Sequence, residues 1–228
     1  MGLRSIGGMQ NRNFNDIIKQ KKDYEYLQHI GEPIPKSKLI GKRSFDIIFG
    51  LVGFVISIPL ILVFGLIIKA TSPGPVLFKQ ERVGYLGNNF YLIKLRSMRN
   101  DAESKTGAVW AQKNDPRVTP VGRLMRKTRI DELPQFWNVL VGDMSLIGPR
   151  PERPELTEKF YQKWPEFPQR LRITPGITGY AQVNGGYDIS PGKKCHLDNY
   201  YIEHYSLGFD FKIAFETIRI IFTGDGAR

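Results

Sequence analysis

Cysteine is nearly missing from this chain: Cys195 stands alone among 228 residues. An internal disulfide and a cysteine-rich metal site are therefore excluded, and a reducing compartment fits. Histidine is almost as scarce. His29, His196 and His204 are the only three, and none falls in the HExxH spacing of a zinc hydrolase. There is no Walker A sequence and no GxGxxG, so the standard nucleotide-binding loops are absent. Nothing repeats at a fixed period, which leaves out solenoids and propellers. Acidic residues are in deficit: 22 Asp and Glu face 33 Lys and Arg, for a formal charge of +11. That surplus favours anionic partners such as nucleic acid, anionic lipid headgroups or phosphorylated substrates, without choosing among them.

Apolar residues make up 41% of the chain, enough for one compact domain with appendages, but they are unevenly spread. From Ile47 to Ile68 run 22 residues without a charge. At about 1.5 Å per residue, a helix of that length matches a hydrocarbon core roughly 30 Å thick. Buried helices of soluble proteins seldom exclude charge so completely, so membrane insertion is the expectation. Pro59 lies near the middle, where it removes a backbone donor and clashes with the preceding turn, and a kink is expected. Lys36, Lys38, Lys42 and Arg43 precede the run, and Lys69 and Lys79 follow it. The positive-inside rule then prefers neither orientation. A segment that enters, bends near Ile58–Pro59 and returns to the same face satisfies both flanks. A kinked span is the alternative, and periodicity and charge do not decide between them.

Residues 1–40 form a polar extension. A short helix is expected around Asp16–Ile30, in a partly ordered tail or lying on an interface, where Ile17, Ile18, Tyr24, Leu27 and Ile30 share a loose apolar face. No small-residue cleavage site follows the apolar run, which argues against a signal peptide. Residues 41–70 are the membrane segment, and 71–228 read as a compact, helix-rich α/β domain. In it, TSPGP marks a loop, and Val76–Phe78 and Phe90–Leu95 read as strands around GYLGNN. Thr119–Leu140 is helical in pattern, SLIGPRPERP is a rigid loop, and a helix is expected around Pro154–Trp164. A final helix, about Phe209–Phe222, sets Phe211, Ala214, Phe215, Ile218 and Phe222 on one face, for a core or for lipid.

Four constellations could carry chemistry. Asp131 and Glu132 follow the cations Arg126, Lys127 and Arg129 and precede the apolar run Phe136, Trp137, Val139 and Leu140. Adjacent carboxylates are usually a solvated face. Nearby cations, however, keep a carboxylate ionised, and an ionised carboxylate can attack phosphorus or bind Mg²⁺. On a helix the two point about 100° apart, which suits two tasks better than one shared proton. Arg150 lies between Pro149 and Pro151; a structural turn is the plainer reading, but a preoriented guanidinium also suits phosphate. Lys94 and Arg96, two residues apart, share one strand face. Arg172 precedes Thr174-Pro-Gly-Ile-Thr-Gly, whose glycines permit close backbone approach to a ligand.

In this order, KRSFDII, a kinked apolar segment, SPGPVLFKQERVG, IKLRSM, RIDELPQFWNVLVGDMSLIGPRP and PGITGYAQVNG strongly resemble the bacterial sugar transferase family, the monotopic phosphoglycosyl transferases. The likeness runs from about Lys42 to Phe222. The resemblance implies a two-step exchange. Asp131 attacks the sugar-proximal phosphate of a UDP-sugar, expels UMP and holds the phosphosugar, which polyprenyl phosphate then takes. Glu132 binds Mg²⁺ with Asp131 or deprotonates the acceptor. Lys94, Arg126 and Arg150, with Arg96 and Arg172, hold phosphate. The implied architecture is α/β and α-rich: a kinked re-entrant membrane helix, then a compact helical domain with a small β element and interfacial amphipathic helices. It implies the inner membrane, a catalytic domain on the cytoplasmic face, a role in exopolysaccharide synthesis, and no nucleic acid; a homodimer is open. The family's bend carries Ser-Pro, whereas here it reads Ser57-Ile58-Pro59, so only Ser57, one residue early, can supply the hydroxyl. A membrane-tethered anion-binding module and a Mg²⁺-dependent phosphohydrolase are the competing readings. The paired carboxylates count against the first, and the lipid acceptor separates the second.

Overall fold

The computed structural model describes residues 24–102, 115–185 and 189–223. Helix α1 (Lys36–Thr71) is uninterrupted through Pro59. Strands β1 (Leu77–Val83) and β2 (Asn89–Leu95) form an antiparallel hairpin, followed by α2 (Pro120–Thr128), a 3-10 turn at Ile130–Glu132 and α3 (Gln135–Val141). Strand β3 (Ser145–Ile147), α4 (Pro154–Tyr161) and a 3-10 stretch at Phe167–Arg172 precede β4 (Gly176–Thr178), which pairs with β3 in parallel. Helices α5 (Tyr180–Gly185), α6 (Pro191–Glu203) and α7 (Leu207–Thr223) complete the chain. The described residues are helix-rich, with two small sheets and one long apolar helix among them.

Helix α1 has a mean hydropathy of 2.9 over its most apolar window, of which only 17% is buried. A soluble core helix would be covered; this one exposes Ile48, Leu51, Ile56, Leu62 and Leu66. Its other face is docked from first turns to last. Lys42 is buried and reaches Asp210 at 2.9 Å and the Ile147 carbonyl, while Asp46 accepts hydrogen bonds from Ser145 Oγ and Leu146 N. Midway, Gly53 brings the helix so close to Phe136 that an added Cβ would lie 2.4 Å from its ring. Near the end, Ile61, Phe64 and Ile68 pack with Leu95 and Met125. Two of the basic residues counted as a membrane flank thus point inward: besides Lys42, Arg43 donates to the Val139 and Leu140 carbonyls, capping α3. Ser57 is buried and bonds the Phe54 carbonyl at 2.8 Å, not that of Val55, for which Pro59 offers no N–H.

The N-terminal extension is less peripheral than its polarity implies. Tyr26, Leu27 and Ile30 are buried against Val83, Leu86 and Leu171, around a 3-10 helix at Glu25–His29. Ile17 and Ile18 lie outside the described residues. SLIGPRP, read as a rigid loop, and the glycine-rich TPGITG each contribute a three-residue strand. The helical pattern over Thr119–Leu140 is also broken, because Arg129 adopts φ +58° and ends α2. In α7, Phe211, Phe215 and Ile218 are exposed, whereas Asp210 and Ile213 on the opposite side are buried.

Candidate active site

The break at Arg129 creates the site. Thr119 caps α2 by accepting from Gly122 N, and Pro120 supplies its preset φ at the first helical position. Gly122 rests directly on the Ser97 carbonyl, where an added Cβ would sit 1.9 Å from oxygen. The helix therefore packs against the end of β2, and Arg126 Nε reaches Ser97 Oγ at 2.9 Å. After the left-handed Arg129, the chain tightens into the 3-10 turn, and Asp131 and Glu132 are both buried at 6% and 8% exposure. They are not on a regular α-helix, as the sequence pattern implied.

The two carboxylates have unlike surroundings. Glu132 is clamped: Lys94 Nζ donates to Oε1 at 3.0 Å, Arg150 Nη1 to Oε2 at 3.2 Å, and Arg150 Nη2 also to Oε1. Burial alone would raise its pKa, but Arg150 and Lys94 outweigh that and hold it well below the usual carboxylate range. Asp131 carries no hydrogen bond or ion pair among the described residues. Burial pushes its pKa up to about 6, with Glu132 adding to the rise and Lys94, Arg126 and Arg150 opposing it. Burial also lowers the Lys94 ammonium, against the pull of Glu132. One acid is thus fixed as an ion-pair anchor. The other is a buried carboxylate whose oxygens are unengaged among the described residues, in the field of three cations.

Arg150 is held from behind. Its carbonyl accepts from Arg170 Nη2 at 2.7 Å, and Arg170 in turn pairs with buried Asp198 at 2.6 Å. Arg82 donates to the Pro151 carbonyl at 3.1 Å and lies 3.5 Å from Glu152, which also pairs with Lys194. Glu152 is thereby committed to ionic support of this segment. Behind the Pro149–Glu152 segment the remaining space is about 10 Å³, too little for more than a water.

Of the residues anticipated for phosphate, Lys94, Arg126 and Arg150 converge on the dyad. Arg96 does not: it is buried and donates to the Ser72 and Pro73 carbonyls, securing the chain just past the end of α1. Arg172 does not either. Its Nε donates to the Glu32 carbonyl, and it lines a separate recess of about 470 Å³ with Gln169, His196 and Asn199. Arg82 is an addition from the structure: Phe78, Gln80 and Arg82 project from the same hairpin face as Lys94, which pairs with Phe78.

For a divalent cation, Glu132 has both oxygens engaged, so Asp131 is the member of the pair with open oxygens. No group of three or more metal-type side chains occurs among the described residues. Such a donor set suits Mg²⁺, which commonly keeps its waters and binds through one or two carboxylates and substrate phosphates, and does not suit an all-protein cage.

The structure thus sets a buried carboxylate pair among cations, on a small α/β unit against which a long apolar helix is docked. The family model described as "Bacterial sugar transferase" matches residues 37–224, and the chain belongs to that family. It is 47% identical over 212 residues to the UDP-N-acetylgalactosamine-undecaprenyl-phosphate N-acetylgalactosaminephosphotransferase of Aeromonas hydrophila, covering 91% of this chain and 50% of that protein. It is 40% identical over 188 residues to the exopolysaccharide production protein PSS of Rhizobium leguminosarum bv. phaseoli, covering 79% of this chain and 94% of that one. It is 40% identical over 182 residues to the UDP-glucose:undecaprenyl-phosphate glucose-1-phosphate transferase of Escherichia coli (strain K12), covering 78% of this chain and 39% of that one. The chain thus spans half or less of the Aeromonas and Escherichia relatives.

Proposed function

We propose that this protein moves a sugar 1-phosphate from a UDP-sugar to polyprenyl phosphate, releasing UMP, as the first membrane step of polysaccharide or glycoconjugate assembly. The observation that carries this reading is the division of labour in the dyad. A nucleophile must have a free oxygen close to cations, and Asp131 does. Its carboxylate oxygen bonds to the sugar-proximal phosphorus as the bond to the bridging oxygen breaks, and UMP departs with that oxygen's electrons. A phosphate oxygen of the acceptor then attacks the same phosphorus and the Asp131 carboxylate leaves. Lys94, Arg126 and Arg150 neutralise charge that builds on the phosphates, which favours a transition state over free substrate. Glu132 aligns Lys94 and Arg150. Asp131 and the substrate phosphates would hold Mg²⁺, which would supply further charge neutralisation there. The relatives are named for different sugars but the same acceptor, which supports the diphosphate and the lipid phosphate as the shared chemistry.

The docking of α1 at both of its ends on the catalytic unit supports a segment that enters and leaves one leaflet. Exposed Leu124, Trp137, Val141, Phe211 and Phe215 on α2, α3 and α7 fit an interfacial apolar surface. UDP-sugar supply favours the cytoplasmic face of the inner membrane.

The test is a trapped intermediate. Incubated with Mg²⁺ and a panel of UDP-sugars but no acceptor, the protein in vesicles should release about one UMP per chain and gain one phosphosugar in intact mass. Asp131→Asn should do neither. Release of UMP by that variant would remove Asp131 as nucleophile.

A further inference from the structure

We infer that Phe78 is the wall of the acceptor site and contacts the isoprene units nearest the lipid phosphate. The inference rests on the transferase reading above. Phe78 is the cross-strand partner of Lys94, so the ring and the ammonium leave the same face of the hairpin with Cβ atoms about 5 Å apart. On that face of β2, Phe90 and Leu92 are buried under α3 and β3, but Phe78 keeps 40% of its surface exposed. A large aromatic left open beside an active-site cation has room for a ligand.

The polarity along β1 indicates which ligand. Just before the strand begins, Val76 sits against Gly65 in the last turns of α1, 3.2 Å from where a Cβ would project. Four residues beyond Phe78, about 13 Å away, Arg82 holds Pro151 and Glu152. From its start to its end, the strand therefore leads from the apolar helix, past an aromatic ring opposite a cation, to the ion-paired support of Arg150. A molecule with an apolar tail and an anionic head matches that gradient when its phosphate lies at Lys94 and its tail at Phe78. A nucleotide-sugar, polar throughout, has no use for the end next to the helix. The strand that carries the ring begins just after Val76 meets α1, and a polyprenyl chain would arrive from that side.

The two half-reactions separate the outcomes. Full-length Phe78→Ala and Phe78→Leu in vesicles are assayed for UMP release without acceptor, for the KM of polyprenyl phosphate, and for vesicle flotation. Phe78→Ala should raise the acceptor KM about tenfold, as expected for losing part of one aromatic contact. It should leave acceptor-free UMP release and flotation at wild-type levels, and Phe78→Leu should recover most of the affinity. An unchanged acceptor KM overturns the proposal. So does a slowed UMP release with a raised UDP-sugar KM, which would make Phe78 a base-stacking residue. Loss of flotation with both half-reactions falling together would make it a membrane anchor only. A wild-type chain that releases no UMP with any UDP-sugar would instead overturn the transferase reading itself.

Discussion

At the scale of residues, Asp131 and Glu132 show how neighbours in sequence acquire opposite chemistry. Asp131 is raised to about 6 while unfolded aspartate titrates near 3.9. Its folded form binds a proton more readily, so ionising it costs stability in full above about pH 6 and not at all below about pH 4. Asp131→Asn should therefore be inactive yet more stable at pH 7.5, by on the order of 2 kcal/mol in denaturant unfolding. The same titration should govern the rate. UMP release should fall roughly tenfold per pH unit below about 6, as the carboxylate takes up its proton. Glu132 contributes to that raised value, so in Glu132→Gln the acid limb should move to lower pH, read from whatever activity persists. An acid limb that stays put would remove Glu132 as a through-space influence on its neighbour.

Elements depend on contacts far apart in the chain, and this sets what could be read in advance. The apolar run, the hairpin and the final helix are written in local patterns. Arg129 is not: a left-handed helix end usually carries glycine, and an arginine there gives no warning, so two helices and a turn read as one. The strands β3 and β4 hide in Pro- and Gly-rich segments because their pairing joins residues 31 positions apart, Ser145 with Gly176. Arg82, Glu152 and Lys194 could not be linked for the same reason, whereas Lys94, Arg126 and Arg150 lie in dense local motifs. Two substitutions probe elements. Asp210→Asn strands the buried Lys42 ammonium, whose side chain is only 4% exposed, and should cost roughly 3–5 kcal/mol. Gly122→Ala drives a methyl into the Ser97 carbonyl and should shift α2. We expect at least a tenfold loss of UMP release, since a displacement of about 1 Å near reacting groups can cost a hundredfold.

Across the whole molecule, the N-terminal extension and the membrane helix belong to the catalytic unit's own cores. Tyr26, Leu27 and Ile30 close a cluster on the hairpin and the Phe167–Arg172 stretch. Deleting residues 1–34 should uncover Val83, Leu86 and Leu171 and lower the thermal midpoint by several degrees or more, measured in detergent. An unchanged midpoint would show that cluster to be dispensable. Cysteines placed at each end of α1 should label from the same side of intact vesicles, and labelling from opposite sides would sink the one-leaflet topology.

Helix α1 is no detachable anchor. Because Ile61, Phe64 and Ile68 complete the packing around Met125 and Leu95, and Arg43 caps the helix that follows the dyad, cutting the chain after Thr71 would not liberate a water-soluble enzyme. Its interior would be left open along one whole flank, so the catalyst and its lipid environment must be handled as a single object.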